Sequence, residues 1–173
     1  MKPSVTELIG MLDKPALMKW ANKIGLEGIR LDEYRKKVMN SGTSLHKQIE
    51  DYFLHQKPFI DAEYFSKFQE FMKDKEIISV ETKIENDYFN GRYDVKIKYN
   101  NLIYICDFKS NHKAVYFENK LQLVSYRMAE GCDKIAIISI PDFAFMQIDI
   151  EDFTPYEQIM INLSNIYTLK KQL

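Results

Sequence analysis

The spacing of apolar positions changes from a helical to a strand period partway along the chain. Ser4-Val5-Thr6-Glu7 has the form of a capping box, and Leu8, Ile9 and Leu12 follow at helical spacing. Pro15 suits the first turn of a second short helix carrying Leu17, Met18, Trp20, Ala21 and Ile24, with Gly25 and Gly28 to end it. A charged helix is expected over 29–40, a reset of the chain at Ser41-Gly42-Thr43-Ser44, and a new helix over 45–53. The stripe of that helix is Leu45, Ile49 and Phe53; His46 lies beside it, with Glu50 one turn on. After Pro58, an amphipathic helix over 61–74 is built on Phe65, Phe68 and Met72.

From Ile77 the period becomes two. Ile78, Val80, Thr82 and Ile84 alternate with Ser79, Glu81 and Lys83, and Tyr93, Val95, Ile97 and Tyr99 alternate with Asp94, Lys96 and Lys98. Asn100-Asn101 marks a turn, and the run from Leu102 to Phe108 is apolar on both faces, as in a central strand. A helix over 117–130 carries Leu121, Val124 and Met128, with Gly131 as its terminator. Short strands follow over 134–140, closed by Pro141-Asp142, and over 143–150, and a helix closes the chain from Glu151. No repeat or linker divides this order, which predicts one domain over 1–173. It comprises a helical part over 1–75, a sheet core with one helix over 76–150 and a C-terminal helix over 151–173. The expected class is α+β, or mixed α/β, with a central mixed sheet flanked by helices.

Composition narrows the picture. The 173 residues give room for a sizeable core, and 46% hydrophobic with 28% charged residues is ordinary for a soluble globular chain. A net charge of −1 excludes blanket electrostatic binding, so any nucleic-acid contact must come from a local patch. The 11 tyrosines and 11 phenylalanines are mostly core material, with some available to stack on bases. Two cysteines, Cys106 and Cys132, are too few for a disulfide framework or an iron–sulfur cluster. No apolar run approaches a membrane span, and Glu7 and Asp13 break the N-terminal stretch, so neither membrane insertion nor a signal peptide is expected.

The candidate chemistry gathers on the central hairpin. Asp107 follows a run of apolar residues, and a buried carboxylate requires a partner or a metal. Asp107 and Lys109 are two apart and share a face, and the hairpin brings Asp94 near Asp107. Two carboxylates and an ammonium at a strand end form a site for a divalent cation and a phosphate. Hard oxygen donors of this kind suit magnesium or manganese. His55 and His112 sit in polar stretches and read as solvated, and no phosphate-binding Gly-rich loop or Ser-His-Asp pattern is present.

Four pieces stand in order: Gly42-Thr43-Ser44-Leu45-His46, Gly91-Arg92-Tyr93-Asp94, Asp107-Phe108-Lys109 and Gln122-Leu123-Val124-Ser125-Tyr126. Together they resemble the G-x-x-x-H, G-x-x-D, D/E-x-K and Q-x-x-x-Y motifs of the RecB-like branch of the PD-(D/E)XK nuclease superfamily. The opening Pro3-Ser4-Val5-Thr6 and the run from Asp13 to Ala21 also resemble the start of phage-encoded exonucleases of that branch. The resemblance covers residues 3 to about 130.

The resemblance implies a restriction-endonuclease-like core and a metal-dependent exonuclease acting at DNA ends. The alternatives are a structure-specific endonuclease on the same fold or an inactive nucleic-acid-binding module. It implies a metal shell of His46, Asp94, Asp107 and the Phe108 carbonyl, with Glu81 as an acidic position that binds a second metal or supports a ligand. Lys109 would orient or deprotonate the attacking water, and Gln122 and Tyr126 would face the site and hold the DNA backbone or water. Lys83, Arg92, Lys96, Lys98, Lys113, Lys120 and Arg127 are candidates for the backbone track, and Glu50 reads as a structural partner of its helix. The implied cofactor is Mg2+ or Mn2+. The implied partners are DNA and a recombination or replication protein, in the cytoplasm of a bacterial or phage-infected cell.

Overall fold

The computed structural model describes residues 2–13, 15–110 and 113–173, with the side chains of 15–17 and 33–44 excepted. Lys14, His112 and the side chains of Leu17, Thr43 and Ser44 lie outside the described residues. Helices α1 (Val5–Gly10), α2 (Pro15–Leu26), α3 (Leu31–His55) and α4 (Ala62–Met72) come first. Strands β1 (Glu76–Glu85), β2 (Asn90–Tyr99) and β3 (Leu102–Ser110), helix α5 (Phe117–Glu130), strands β4 (Lys134–Ile140) and β5 (Ala144–Ile148), and helix α6 (Thr154–Lys170) follow. The protein is therefore α+β, with a five-stranded mixed sheet in the order β1-β2-β3-β4-β5 and helices against both faces.

Local chemistry explains most of these boundaries. Ser4 accepts from the Glu7 N–H while the Glu7 side chain accepts from the Ser4 N–H, so the capping box is formed in full. Asp61 caps α4 by accepting from the Tyr64 N–H at 3.0 Å. Asn100 and Asn101 both take positive φ, the conformation that a two-residue hairpin turn demands and that asparagine tolerates.

Three expectations are corrected. The chain does not reset at Ser41–Ser44: α3 runs unbroken from Leu31 to His55. A glycine inside a helix costs only about 1 kcal/mol, and propagating through it is easier than paying for a second nucleus, there being no proline in the stretch. Gly25 lies within α2; it is Gly28, at φ +75, that closes the turn beyond it. Phe143, expected to begin a strand, has φ +54 in the turn before β5.

The sheet has a core on each side. Ile105 of β3 and Ile135 and Ile137 of β4 pack with α1, α5 and α6 through Val5, Leu8, Leu121, Val124 and Met160. Tyr104, Cys106 and Phe108 of β3 and Ala136, Ile138 and Ile140 of β4 pack with α3 and α4 through Ile49, Tyr64 and Phe68. Strands β3 and β4 run parallel, joined by α5, and this is why both read as apolar throughout.

The β1–β2 register shifts between Ile77 and Ser79, and a wider break lies between β2 and β3. The β2–β3 ladder ends at Val95↔Cys106, whereas β1–β2 continues to Glu85↔Asn90 and β3–β4 to Ser110↔Ile140. Beyond Val95 the two halves of the sheet separate as a fork. At its edge, a Cβ on Gly91 would meet Tyr126 at 3.1 Å and Val5 at 3.2 Å, so α5 and α1 approach the bare backbone here. Both neighbours are buried, so an added methyl would press on packed side chains. Gly91→Ala is therefore expected to destabilise the protein by about 1–3 kcal/mol through overpacking. A lower denaturation midpoint checks this, and an unchanged one contradicts the tight contact.

Candidate active site

The site lies in the fork. Asp94 is the first residue of β2 beyond its last pair with β3, Val95↔Cys106, and its Oδ2 accepts from the Phe108 N–H at 2.7 Å, in place of a ladder carbonyl. From one face of the sheet α3 delivers His46, at the edge of the stripe of Leu45, Ile49 and Phe53, with its ring 5.8 Å from that of Phe108. From the other face α5 delivers Gln122 and, one turn on, Tyr126.

Among the described residues, His46, Glu81 and Asp94 form a group whose ligating atoms all lie within 4.8 Å of one another. His46 Nε2 is 3.1 Å from Glu81 Oε1 and 3.6 Å from Asp94 Oδ1. Glu81 belongs to this tight group, although the sequence offered it only as an accessory position. Its φ of +46, unusual for a non-glycine residue within a strand, falls between the pairs Val80↔Val95 and Thr82↔Tyr93. Simple alternation along β1 gives no sign of this local strain.

Asp107 is engaged on its other side. Its Oδ2 is 2.6 Å from Lys109 Nζ, and its Oδ1 accepts from Gln122 Nε2 at 2.9 Å. Gln122 also donates to the Tyr126 hydroxyl at 2.9 Å and accepts from Lys109 at 3.0 Å. The amide thus fixes acid, lysine and phenol in one network, and Tyr126 is buried within it rather than presented to solvent.

The expected basic track is only partly gathered. Arg92 reaches the fork, its Nε 2.9 Å from Glu81 Oε2, and Lys83 pairs across the strands with Arg92. Lys96 and Lys98 follow Asp94 away from the fork, roughly 7 and 13 Å along the strand at about 3.3 Å per residue. Lys96 is held by Glu130 at 3.1 Å, and Lys98 lies beside the Asn100-Asn101 turn. Arg127 pairs with Glu157 at 3.4 Å and stacks on Phe153. Lys113 is exposed in the connection to α5, and Lys120 lies half-buried on that helix. Glu50 pairs with Lys47 at 3.3 Å, and His55 is exposed in the last turn of α3. A groove of about 860 Å³ leads outward from Asp94 and Gln122, past Gly91 and Arg92, to Lys83 and Thr6.

The electrostatics follow from enclosure. Burial first, and then the nearby Asp107 charge, push the Asp94 carboxyl up to about 8, against the opposing effects of His46 and the Phe108 N–H. Burial pushes the His46 imidazole down, but the hydrogen bond to Glu81 and the charges of Asp94, Glu81 and Asp107 outweigh it and hold it above its ordinary value. A nitrogen and two carboxylates converging in a partly dehydrated fork are a donor set that fits a divalent cation of the manganese or magnesium type.

No family model and no curated protein matches the sequence. The solved structure of SSO0001 aligns over 95% of this chain and 76% of its own, at 12% identity and a TM-score of 0.44.

A pH dependence follows for the metal-free protein. The folded pKa of Asp94, about 8, lies above its ordinary 3.8, so its contribution to stability is complete below about pH 4 and is lost as pH rises through 8. His46 is shifted in the same direction and acts with the same sign. Asp94→Asn keeps an acceptor for the Phe108 N–H and removes the charge. In chelator, thermal melting between about pH 6 and 8.5 should show a weaker decline for Asp94→Asn than for wild type. Parallel declines would mean that Asp94 is not the titrating group.

Proposed function

We propose that the chain is a divalent-cation-dependent nuclease of the RecB-like type, hydrolysing phosphodiester bonds at DNA ends. The observation that carries this reading is the convergence of His46, Glu81 and Asp94 beside the Asp107–Lys109–Gln122 network in one fork. A cation of the manganese or magnesium type, when bound, supplies Lewis-acid polarisation of a phosphoryl oxygen and makes water more acidic. His46, Glu81 and Asp94 would hold it, with Asp107 at the adjoining edge.

The chain's own residues supply the rest. Lys109, kept in place by Asp107 and Gln122, orients the attacking water and offsets negative charge that builds in the transition state. Gln122 has all three of its polar positions engaged, so it acts as a positioning residue for both partners. Tyr126 supports Gln122 and seals the contact with Gly91. Arg92 and Lys83 stand at the groove where a substrate backbone enters. The Lewis acid and the fixed lysine together meet the main needs of phosphodiester hydrolysis, in which a water oxygen bonds to phosphorus as the bond to the leaving oxygen breaks.

The direct test compares linear with covalently closed circular DNA in Mn2+, with and without excess chelator. Degradation of the linear form alone, abolished by chelator, is expected. Cutting of closed circles would identify an endonuclease, and robust cutting in chelator would remove the metal reading. Asp107→Ala should abolish cleavage, because it deletes the acid and releases Lys109. Lys109→Ala should lower turnover far more than DNA affinity, as its interaction is made in the transition state. Wild-type rates from Asp107→Ala, or a loss confined to affinity in Lys109→Ala, would contradict these roles.

A further inference from the structure

Glu81 is shared. One oxygen faces His46 Nε2 at 3.1 Å, and the other is bound by Arg92 Nε at 2.9 Å. The two partners are differently held. The Glu81 side chain is 5% exposed, and its left-handed backbone is held between two strand pairs. The Arg92 side chain is 55% exposed at the rim and has a long, flexible stem.

A divalent cation entering among His46, Glu81 and Asp94 meets this guanidinium on the same carboxylate. Like charges a few ångströms apart in a partly dehydrated fork repel strongly, and the guanidinium nitrogen already stands 2.9 Å from a Glu81 oxygen. The mobile partner is the one that yields. Arg92 has somewhere to go: it lines the groove together with Lys83, its partner across the β1–β2 pair.

We propose that Arg92 is a displaceable counter-ion, neutralising Glu81 in the metal-free protein and released into the groove when a cation loads. There, with Lys83, it forms a two-cation clamp for the phosphodiester backbone of a nucleic acid. Cation loading thereby prepares the groove for substrate, and by linkage the backbone favours loading of the cation to the same degree. This inference rests on the metal reading of the fork, and its test separates the two.

Calorimetric titration of Mn2+ into the full chain without nucleic acid is the first measurement. Arg92→Ala should bind Mn2+ about tenfold more tightly than wild type, a change of about 1.4 kcal/mol. Lys83→Ala, which has no bond to Glu81 in the structure, should change it little. If Arg92→Ala fails to fold, Arg92→Gln, which keeps length and removes charge, carries the same expectation. The second measurement is anisotropy of a short fluorescein-labelled single-stranded DNA in Ca2+, where Arg92→Ala and Lys83→Ala should both bind more weakly. Mn2+ affinity that is unchanged or weaker in Arg92→Ala and Arg92→Gln would show Arg92 to be a fixed support for Glu81 and overturn the proposal. Absence of Mn2+ binding by wild type would overturn the metal reading and the proposal with it.

Discussion

Asp94 occupies the point at which the sheet divides. By accepting the Phe108 N–H at 2.7 Å, its carboxylate satisfies a backbone donor that loses its ladder partner when β2 turns away from β3. A side chain from α3 on one face and a side chain from α5 on the other can meet only because the sheet is open there. The fork therefore depends on one hydrogen bond that is structural and lies within the site. Gly91 serves the same opening from the rim, since its missing side chain leaves room for Tyr126 and Val5.

Three enclosed acids in so small a space would be costly without compensation. The structure distributes that compensation unevenly. Asp107 is bound to Lys109 and Gln122 within the network, Glu81 to His46 and a rim arginine, and Asp94 has the single Phe108 N–H with His46 alongside. Burial first, and then the Asp107 charge, push the Asp94 carboxyl up to about 8. A cation placed among His46, Glu81 and Asp94 would offset the mutual repulsion of the acids gathered there.

Much of this was legible in the sequence, and the reason is periodicity. The hairpin from Asn90 to Ser110 has a period-two strand, an asparagine turn and a run buried on both faces, so the approach of Asp94 to Asp107 follows from register alone. His46 was placed beside its stripe by helical spacing, but its direction into the fork is fixed by tertiary packing against Phe108. The break expected near Gly42 is absent because local propensity is weak against helix continuity. Glu81 was undervalued because a left-handed residue within a strand overrides alternation and leaves no compositional mark. Lys96 and Lys98 share a strand with Asp94, yet nearness in sequence along an extended chain is distance in space.

The central claim is that the fork holds a divalent cation on His46, Glu81 and Asp94. Anomalous diffraction from crystals of the protein grown with Mn2+ tests it most directly. The account predicts a single strong peak within coordination distance of His46 Nε2 and of a carboxylate oxygen from both Glu81 and Asp94. A peak held elsewhere, with His46 still hydrogen-bonded to Glu81 and the fork unchanged, would contradict it.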